Sequence, residues 1–352
     1  MKISILGAGN AGCAVAADLT FKGHDVTLIK TSKAMHNENF NFIKENDGKI
    51  SLVENDTVTT VNIKKVSNNL SDISDSEVVI IYIQTNYHEK LIESIKDYVR
   101  DGQIVIINPG YLSTAYMLKY CGEKDLTVVE ATSSFIDCRI SEPGVIKVGF
   151  RNVRNPIGVY PKERTEEVSK KLESLGYNLK PFSTIEAALH NPNLIVHTVG
   201  AIMSIPRIEK TNGDYCMYWE VFTPSVWRIL EKLDSEKMDV LEHLGYKRVA
   251  YVDACKFRNT LETDVDGKEI FFWYAGMPTR AKGPTTVNSR YITEDVPQGL
   301  VMLEALGKHL NVATPVCSSL IEMANAALDT DFRKEGRSLE GLGKENIRKI
   351  LE

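Results

Sequence analysis

In the first half of the chain, short runs of aliphatic and β-branched residues alternate with segments whose apolar positions recur at helical spacing, as successive βαβ units do. Runs over 2–6, 25–29, 77–84, 103–108 and 126–130 are nearly continuous in apolar side chains. A parallel strand needs that pattern when helices cover both faces of its sheet. The stretch 35–69 is polar and rich in asparagine. Its strand signals are weak, and it reads as excursions at the edge of the sheet. Runs over 145–149 and 156–160 read as strands closing this half, followed by a helix over 165–175 and a short return strand.

From about residue 183 the spacing becomes helical throughout. Ser183-Thr184-Ile185-Glu186 has the form of a capping box, a hydroxyl and a carboxylate three residues apart that satisfy each other's backbone N–H groups. Asn191 followed by Pro192 reads as an N-cap with proline at the first helical position. Helices are predicted over 193–205, 224–244, 297–309 and 315–327, with a loop-rich insert over 260–294 and a last short helix over 343–352. The predicted fold is an α/β Rossmann-type domain with a parallel sheet over 1–183, followed by an all-α domain over 184–352. At 352 residues the chain is long enough for two separate cores.

Composition narrows the function. A formal net charge of -5 gives no electrostatic reason to expect nucleic acid or an anionic membrane as partner. No apolar stretch reaches membrane-spanning length, and the run at 3–6 is too short for a signal-peptide core; a cytoplasmic protein is expected. The 6 cysteines are scattered without paired spacing, so neither a metal centre nor a disulfide framework is expected. The assembly state is open, a homodimer being one option.

Gly7-Ala8-Gly9-Asn10-Ala11-Gly12 follows the first strand and opens an apolar helix. The first glycine permits the tight turn, the second lets backbone approach a pyrophosphate, and the third lets helix and strand pack closely. The helix N-terminus adds amide donors and partial positive charge. Strand, loop, helix and second strand all fall within about 30 residues, the context this fingerprint requires. The second strand ends in Lys30-Thr31-Ser32-Lys33, where an NAD site usually carries an acid for the ribose 2′-hydroxyl. Two cations and two hydroxyls suit a 2′-phosphate, so NADP(H) is favoured and NAD(H) is the second option; a solvated loop is the alternative reading. Gln84-Thr85-Asn86 and Asn108-Pro109-Gly110 end two further strands and are candidates to line the same site, or are ordinary turns.

In the helical half, Asn193 and His197 lie four residues apart on one helix face, and His190 competes with His197 as a candidate. Arg290-Tyr291-Ile292-Thr293-Glu294-Asp295-Val296-Pro297 brings a second set. Arg290 suits a substrate carboxylate, and Asp295 suits the second nitrogen of an imidazole. The alternatives are a surface ion pair for Arg290 and a helix-start acid for Asp295. Aromatic residues at 215, 218, 219, 222, 227 and 271–274 read as core first and as a substrate pocket second.

The order Gly7-x-Gly9-x-x-Gly12, Asn191-x-Asn193-x-x-x-His197 and Arg290-Tyr-x-x-x-Asp295-Val-Pro resembles the opine dehydrogenases, the group that includes octopine and nopaline dehydrogenases. The stretch from Val128 to Arg139 resembles that family too. The resemblance implies that His197 and Asp295 form a proton-transfer dyad facing the nicotinamide, and that Arg290, with Asn193 beside the dyad, binds substrate. It also implies reductive condensation of an amino acid with a 2-keto acid, through an imine, with both substrates small molecules. Many family members carry an acid where Lys30 or Thr31 stands, so use of NADH is not implied. The competing readings are a 2-keto acid reductase of the ketopantoate reductase type, which uses a lysine as proton donor, and a non-catalytic NADP-binding sensor.

Overall fold

A computed structural model describes residues 1–277 and 282–352. Its N-terminal part runs β1 (Lys2–Leu6), α1 (Asn10–Phe21), β2 (Asp25–Ile29), α2 (Asn37–Glu45), β3 (Lys49–Glu54), β4 (Thr57–Asn62), β5 (Lys65–Ser67) and β6 (Val78–Ile81). It continues with α3 (His88–Ile95), β7 (Ile104–Ile107), α4 (Thr114–Cys121), β8 (Thr127–Ala131), β9 (Ile136–Glu142), β10 (Val145–Arg151), β11 (Asn155–Tyr160), α5 (Thr165–Leu172) and β12 (Leu179–Phe182). The main sheet has the order β12-β11-β8-β7-β6-β1-β2-β5. β1 is parallel to both β2 and β6, and β11 is the strand that runs antiparallel to β8. The chain builds outward from β1 through β2 and β5, then resumes on the other side of β1 with β6. That reversal at β1 is the topological switch point where ligands bind in open α/β sheets.

The stretch 35–69 corrects the edge-excursion reading. Only β5 joins the main sheet. β3 and β4 combine with β9 and β10 in a separate four-stranded sheet of order β4-β3-β10-β9, so the run at 145–149 is an interior strand of that sheet and not part of the main one. The partners come from distant parts of the chain, with Val145 opposite Ser51 and Ile146 opposite both Leu52 and Ile140. The small sheet buries Ile50, Leu52, Cys138 and Ile146 in the same core as α1 and the main sheet. This explains the composition of α1: Gly12 through Leu19 are all buried, and a helix covered on all sides is apolar all round.

The chain divides into two compact units, Met1–Ala188 and Leu189–Glu352. Around this division lies α6 (Thr184–Leu189), started by the reciprocal bonds of a capping box. Glu186 N donates to Ser183 Oγ at 3.2 Å, and Ser183 N donates to Glu186 Oε2 at 3.0 Å.

The second unit is helical. It contains α7 (Pro192–Met203), α8 (Ile205–Thr211), α9 (Met217–Glu220), α10 (Pro224–His243), α11 (Tyr251–Asn259), α12 (Gly267–Ala275), α13 (Arg290–Thr293), α14 (Val301–Leu310) and α15 (Pro315–Leu328), followed by three short C-terminal helices. The described part of the insert at 260–294 is less loop-rich than expected, because Asp266 caps α12 by accepting from Lys268 N and Glu269 N; residues 278–281 of that insert lie outside the described residues. The helix expected from 297 begins instead as a π-helical turn, Val296–Leu300. α7 is the central helix, buried continuously from Leu194 to Ile202. Among the described residues, no helix is long and apolar enough to cross a membrane.

Candidate functional site

In the first unit the glycine turn sits at the switch point, and each glycine answers to a different constraint. Gly7 has φ +116, and a Cβ there would stand 2.1 Å from the Tyr82 carbonyl oxygen at the end of β6. A Cβ on Gly12 would stand 1.8 Å from the Gly7 carbonyl oxygen. On Gly9 it would meet nothing closer than the His36 ring, at 3.5 Å. The turn is thus closed where it packs and open at its middle. Among the described residues, α1 has no side-chain cap and no acid in its first turn, so its N-terminal amides and dipole are suited to an anion. These features fit a dinucleotide pyrophosphate, with Gly7, Gly9 and Gly12 as its cradle and Ala8 and Ala11 keeping the turn slim. Asn10 contributes differently: its Oδ1 accepts from Ile140 N at 2.8 Å, tying the turn to β9.

The end of β2 departs from the sequence reading in one respect. Lys30 is 7% exposed; its Nζ donates to the Met35 carbonyl and lies 5.8 Å from the centre of the Phe40 ring. Burial lowers its pKa. Lys30 therefore holds the loop that follows β2, leaving Ser32 and Lys33 exposed and Thr31 half-buried. Ser32 Oγ accepts from Ala34 N and Met35 N, so it also shapes the loop. His36, which sequence reasoning missed, reaches back over Gly9 from the same loop.

After β6, Gln84 is half-buried and Thr85 buried in a short turn. After β7, the Asn108 amide donates to the Tyr82 hydroxyl at 2.9 Å. Behind Gly110 the fully buried Glu130 accepts from Leu112 N at 2.9 Å and Thr114 N at 2.6 Å. A carboxylate at the start of α4 thus satisfies two terminal amides and complements the dipole. Glu130 is a structural cap, and only the fold reveals it.

In the second unit the structure brings His197 and Asp295 together across 98 residues of sequence, with Nδ1 2.8 Å from Oδ2. His197 is buried in the middle of α7, and Asp295, 1% exposed, stands between α13 and the π-helical turn. A carboxylate only accepts, so Nδ1 carries the shared hydrogen and Nε2 presents its lone pair. Two tyrosines complete the setting, Tyr218 read from sequence only as a core or pocket aromatic and Tyr291 only as a member of the Arg290 motif. Tyr291 stacks on the imidazole with ring centroids 3.7 Å apart at 10°, and the Tyr218 hydroxyl lies 3.2 Å from Nε2. Nothing in the sequence marks either ring as a neighbour of His197.

The other candidates separate. Asn193 lies one turn before His197 on α7, half-buried, with its own N–H donated to the Asn191 side chain at 3.0 Å. Arg290 starts α13, five residues before Asp295; its side chain is 53% exposed, and Nε lies 3.4 Å from Glu294 Oε2. His190 is not part of the His197 group. It lies beside the buried Lys237, and burial, reinforced by that ammonium, pushes its pKa down to about 3. Of the aromatics, Tyr215, Phe222 and Trp227 are core as expected, whereas Trp219 and Trp273 are 60% and 67% exposed.

Comparison with known proteins agrees on both units. Residues 182–328 match the family described as NAD/NADP octopine/nopaline dehydrogenase, alpha-helical domain, and residues 3–160 match ketopantoate reductase PanE/ApbA. The chain is 28% identical to an opine dehydrogenase of Arthrobacter sp. (strain 1C), covering 97% of this chain and 94% of that protein. It is 23% identical to vitopine synthase of Allorhizobium ampelinum, covering 100% and 98%. Among solved structures, octopine dehydrogenase with NADH and L-arginine superposes with a TM-score of 0.80 at 17% identity, covering 100% of this chain and 98% of that one. Yersinopine dehydrogenase with NADP+ gives a TM-score of 0.70 at 16% identity, covering 100% and 94%.

With these relatives and this fold, the chain is an NAD(P)-dependent oxidoreductase acting on CH–NH donors. Its helical half carries the octopine/nopaline dehydrogenase alpha-helical domain over residues 182–328, and an opine dehydrogenase is similar to it along almost its whole length.

Proposed function

We propose that this protein condenses an amino acid with a 2-keto acid and reduces the resulting imine to an N-(carboxyalkyl)amino acid. The observation that carries the reading is the buried His197–Asp295 pair in a family whose relatives include an opine dehydrogenase. Solved neighbours hold L-arginine, agmatine or pyruvate, an amine partner or a 2-keto acid in each case. In this reading residues 1–183 hold the dinucleotide and residues 184–352 bind substrate and move protons.

A nicotinamide held at the glycine turn would supply the hydride equivalent for the reduction. The chain's own residues do the rest. Asp295 keeps the Nδ1–H tautomer of His197 and stabilises the imidazolium formed when Nε2 takes a proton. Tyr291 holds the ring's plane. Arg290, on the same segment as Asp295, orients a substrate carboxylate, and Asn193 adds a polar contact one turn from His197. Positioning and charge complementarity then carry most of the rate enhancement.

NADP(H) is the proposed cofactor. The end of β2 offers no acid for a ribose 2′-hydroxyl, and Thr31, Ser32 and Lys33 stand ready for a 2′-phosphate with His36 nearby.

The test is oxidation of NADPH with pyruvate, glyoxylate or 2-ketoglutarate, first alone and then with a panel of amino acids, with products identified by mass spectrometry. Turnover is expected only with both substrates. Equal rates with the keto acid alone would make the protein a simple keto acid reductase. His197→Ala should abolish turnover while NADPH affinity stays near that of the wild type; a fully active variant sinks the dyad.

A further inference from the structure

The Tyr218 hydroxyl lies 3.2 Å from His197 Nε2, on the nitrogen opposite the one held by Asp295. Because Nδ1 gives its hydrogen to the carboxylate, the phenol donates to Nε2. The imidazole cannot tilt to aim elsewhere: Tyr291 lies flat on it at 3.7 Å, and the ring is 7% exposed. A proton that enters or leaves Nε2 along its lone pair therefore meets the Tyr218 oxygen. Tyr218 is half-buried where His197 is buried.

We propose that Tyr218 is a catalytic residue, a proton relay between His197 Nε2 and the condensing substrates. This inference rests on the condensation proposed above. A substrate ammonium gives a proton to the phenol oxygen as the phenolic proton passes to Nε2, and the imidazolium forms against Asp295. The freed nitrogen lone pair bonds to the keto carbon, and the carbonyl π pair moves onto oxygen. The proton returns from Nε2 through the phenol to that oxygen. A second proton travels from nitrogen to oxygen by the same route, the C–O bond breaks, water leaves, and the nitrogen lone pair closes the C=N bond. R–NH3+ and O=C become R–NH+=C and H2O, with atoms and charge balanced and with phenol and imidazole back in their starting states.

The groups around the phenol suit this role. His197 comes from α7, and Tyr291 and Asp295 from α13 and the turn after it. The Phe271 ring of α12 lies 6.4 Å from that of Tyr218 at 49°. From α11, the buried Tyr251 lies within electrostatic reach of Tyr218, with Cys255 beside it, and the Tyr251 phenol's pKa is raised, chiefly by burial. Arg258 donates to Cys255 Sγ at 3.7 Å. Tyr251 therefore stays protonated and does not compete as an acid.

An orienting role for Tyr218 would need only a hydrogen-bond donor, whereas a relay depends on the phenol's acidity. The experiment has two arms, read on the condensation reaction and on NADPH binding by fluorescence titration. Tyr218→Phe should lower kcat by about 100-fold or more, the usual yield of a placed proton-transfer group, with NADPH affinity unchanged. Mono- and difluorinated tyrosines incorporated at position 218 keep the donor but ionise at lower pH. They should draw the alkaline limb of the kcat profile to lower pH in the order of their acidity, because a phenolate has no proton to pass to Nε2. Near-normal turnover in Tyr218→Phe, or an alkaline limb indifferent to fluorination, overturns the relay and leaves the proposed reaction standing. Wild-type protein inactive on every amine and keto acid pair overturns the reaction and the relay together, before any variant is made.

Discussion

Which nitrogen of His197 carries hydrogen depends on one carboxylate. Replacing Asp295 with asparagine keeps the volume but lets an amide N–H face Nδ1, which favours the tautomer with hydrogen on Nε2. That tautomer cannot accept a proton there. Asp295→Asn should lower kcat by roughly 10²- to 10⁴-fold, with KM for NADPH little changed, as steady-state kinetics would show. Gly12 makes a different residue-scale case, since an alanine Cβ would stand 1.8 Å from the Gly7 carbonyl and backbone must move to admit it. Gly12→Ala should lose about 2 kcal/mol or more in urea unfolding; unchanged stability would mean the turn is looser than its geometry implies. At this scale His197, Asp295 and the glycines were legible because each lies in a spaced motif. Tyr218 and Glu130 were not, since their partners approach only through the fold. Lys30 could be found in the sequence but not its employment: a long aliphatic stem lets the ammonium turn inward to the Met35 carbonyl.

The helix that presents His197 begins with a cap readable from sequence. Asn191 accepts from Asn193 N at 3.0 Å, and Pro192 follows at the first helical position. Asn191→Ala should cost about 1 kcal/mol, detectable by chemical denaturation. Farther on, α14 is tied to its neighbours through Glu304, which accepts from Arg333 through two bonds of 2.8 Å, from Lys308 at 2.8 Å and from Ser318 at 2.6 Å. The Arg333 bonds lead the groups that hold the Glu304 pKa at about 2, against 4.5 for the free side chain. The folded value is the lower one, so this stabilisation is complete above pH 4.5 and is lost as pH falls from there toward 2. It amounts to roughly 3 kcal/mol, and Glu304→Gln should flatten the acid side of the stability profile; a profile identical to the wild type's would deny the network that role. Strands and long helices were legible because burial on both faces, or on one stripe, writes a period into the chain. The small sheet was not. β4 is largely exposed and too polar to declare itself, and β3 pairs with a strand about 95 residues away, a spacing no local pattern carries.

For the molecule as a whole, cofactor binding is a stability term. A ligand at about 100 times its Kd stabilises the folded state by about 2.7 kcal/mol. At equal concentrations NADPH should therefore raise the thermal midpoint more than NADH does. A larger shift with NADH would reassign the loop after β2 to a free ribose hydroxyl. The amino-acid sequence alone determined the two fold classes in chain order, the tight glycine turn after β1 and the principal helix caps, because these arise from periodicity and from bonds between residues a few positions apart. Tertiary structure alone decided which sheet each polar strand joined, that Lys30 turns inward, and that His197 lies between a carboxylate and two tyrosine rings. Those outcomes depend on contacts between segments that meet only when the chain buries its apolar surface, so no local pattern records them.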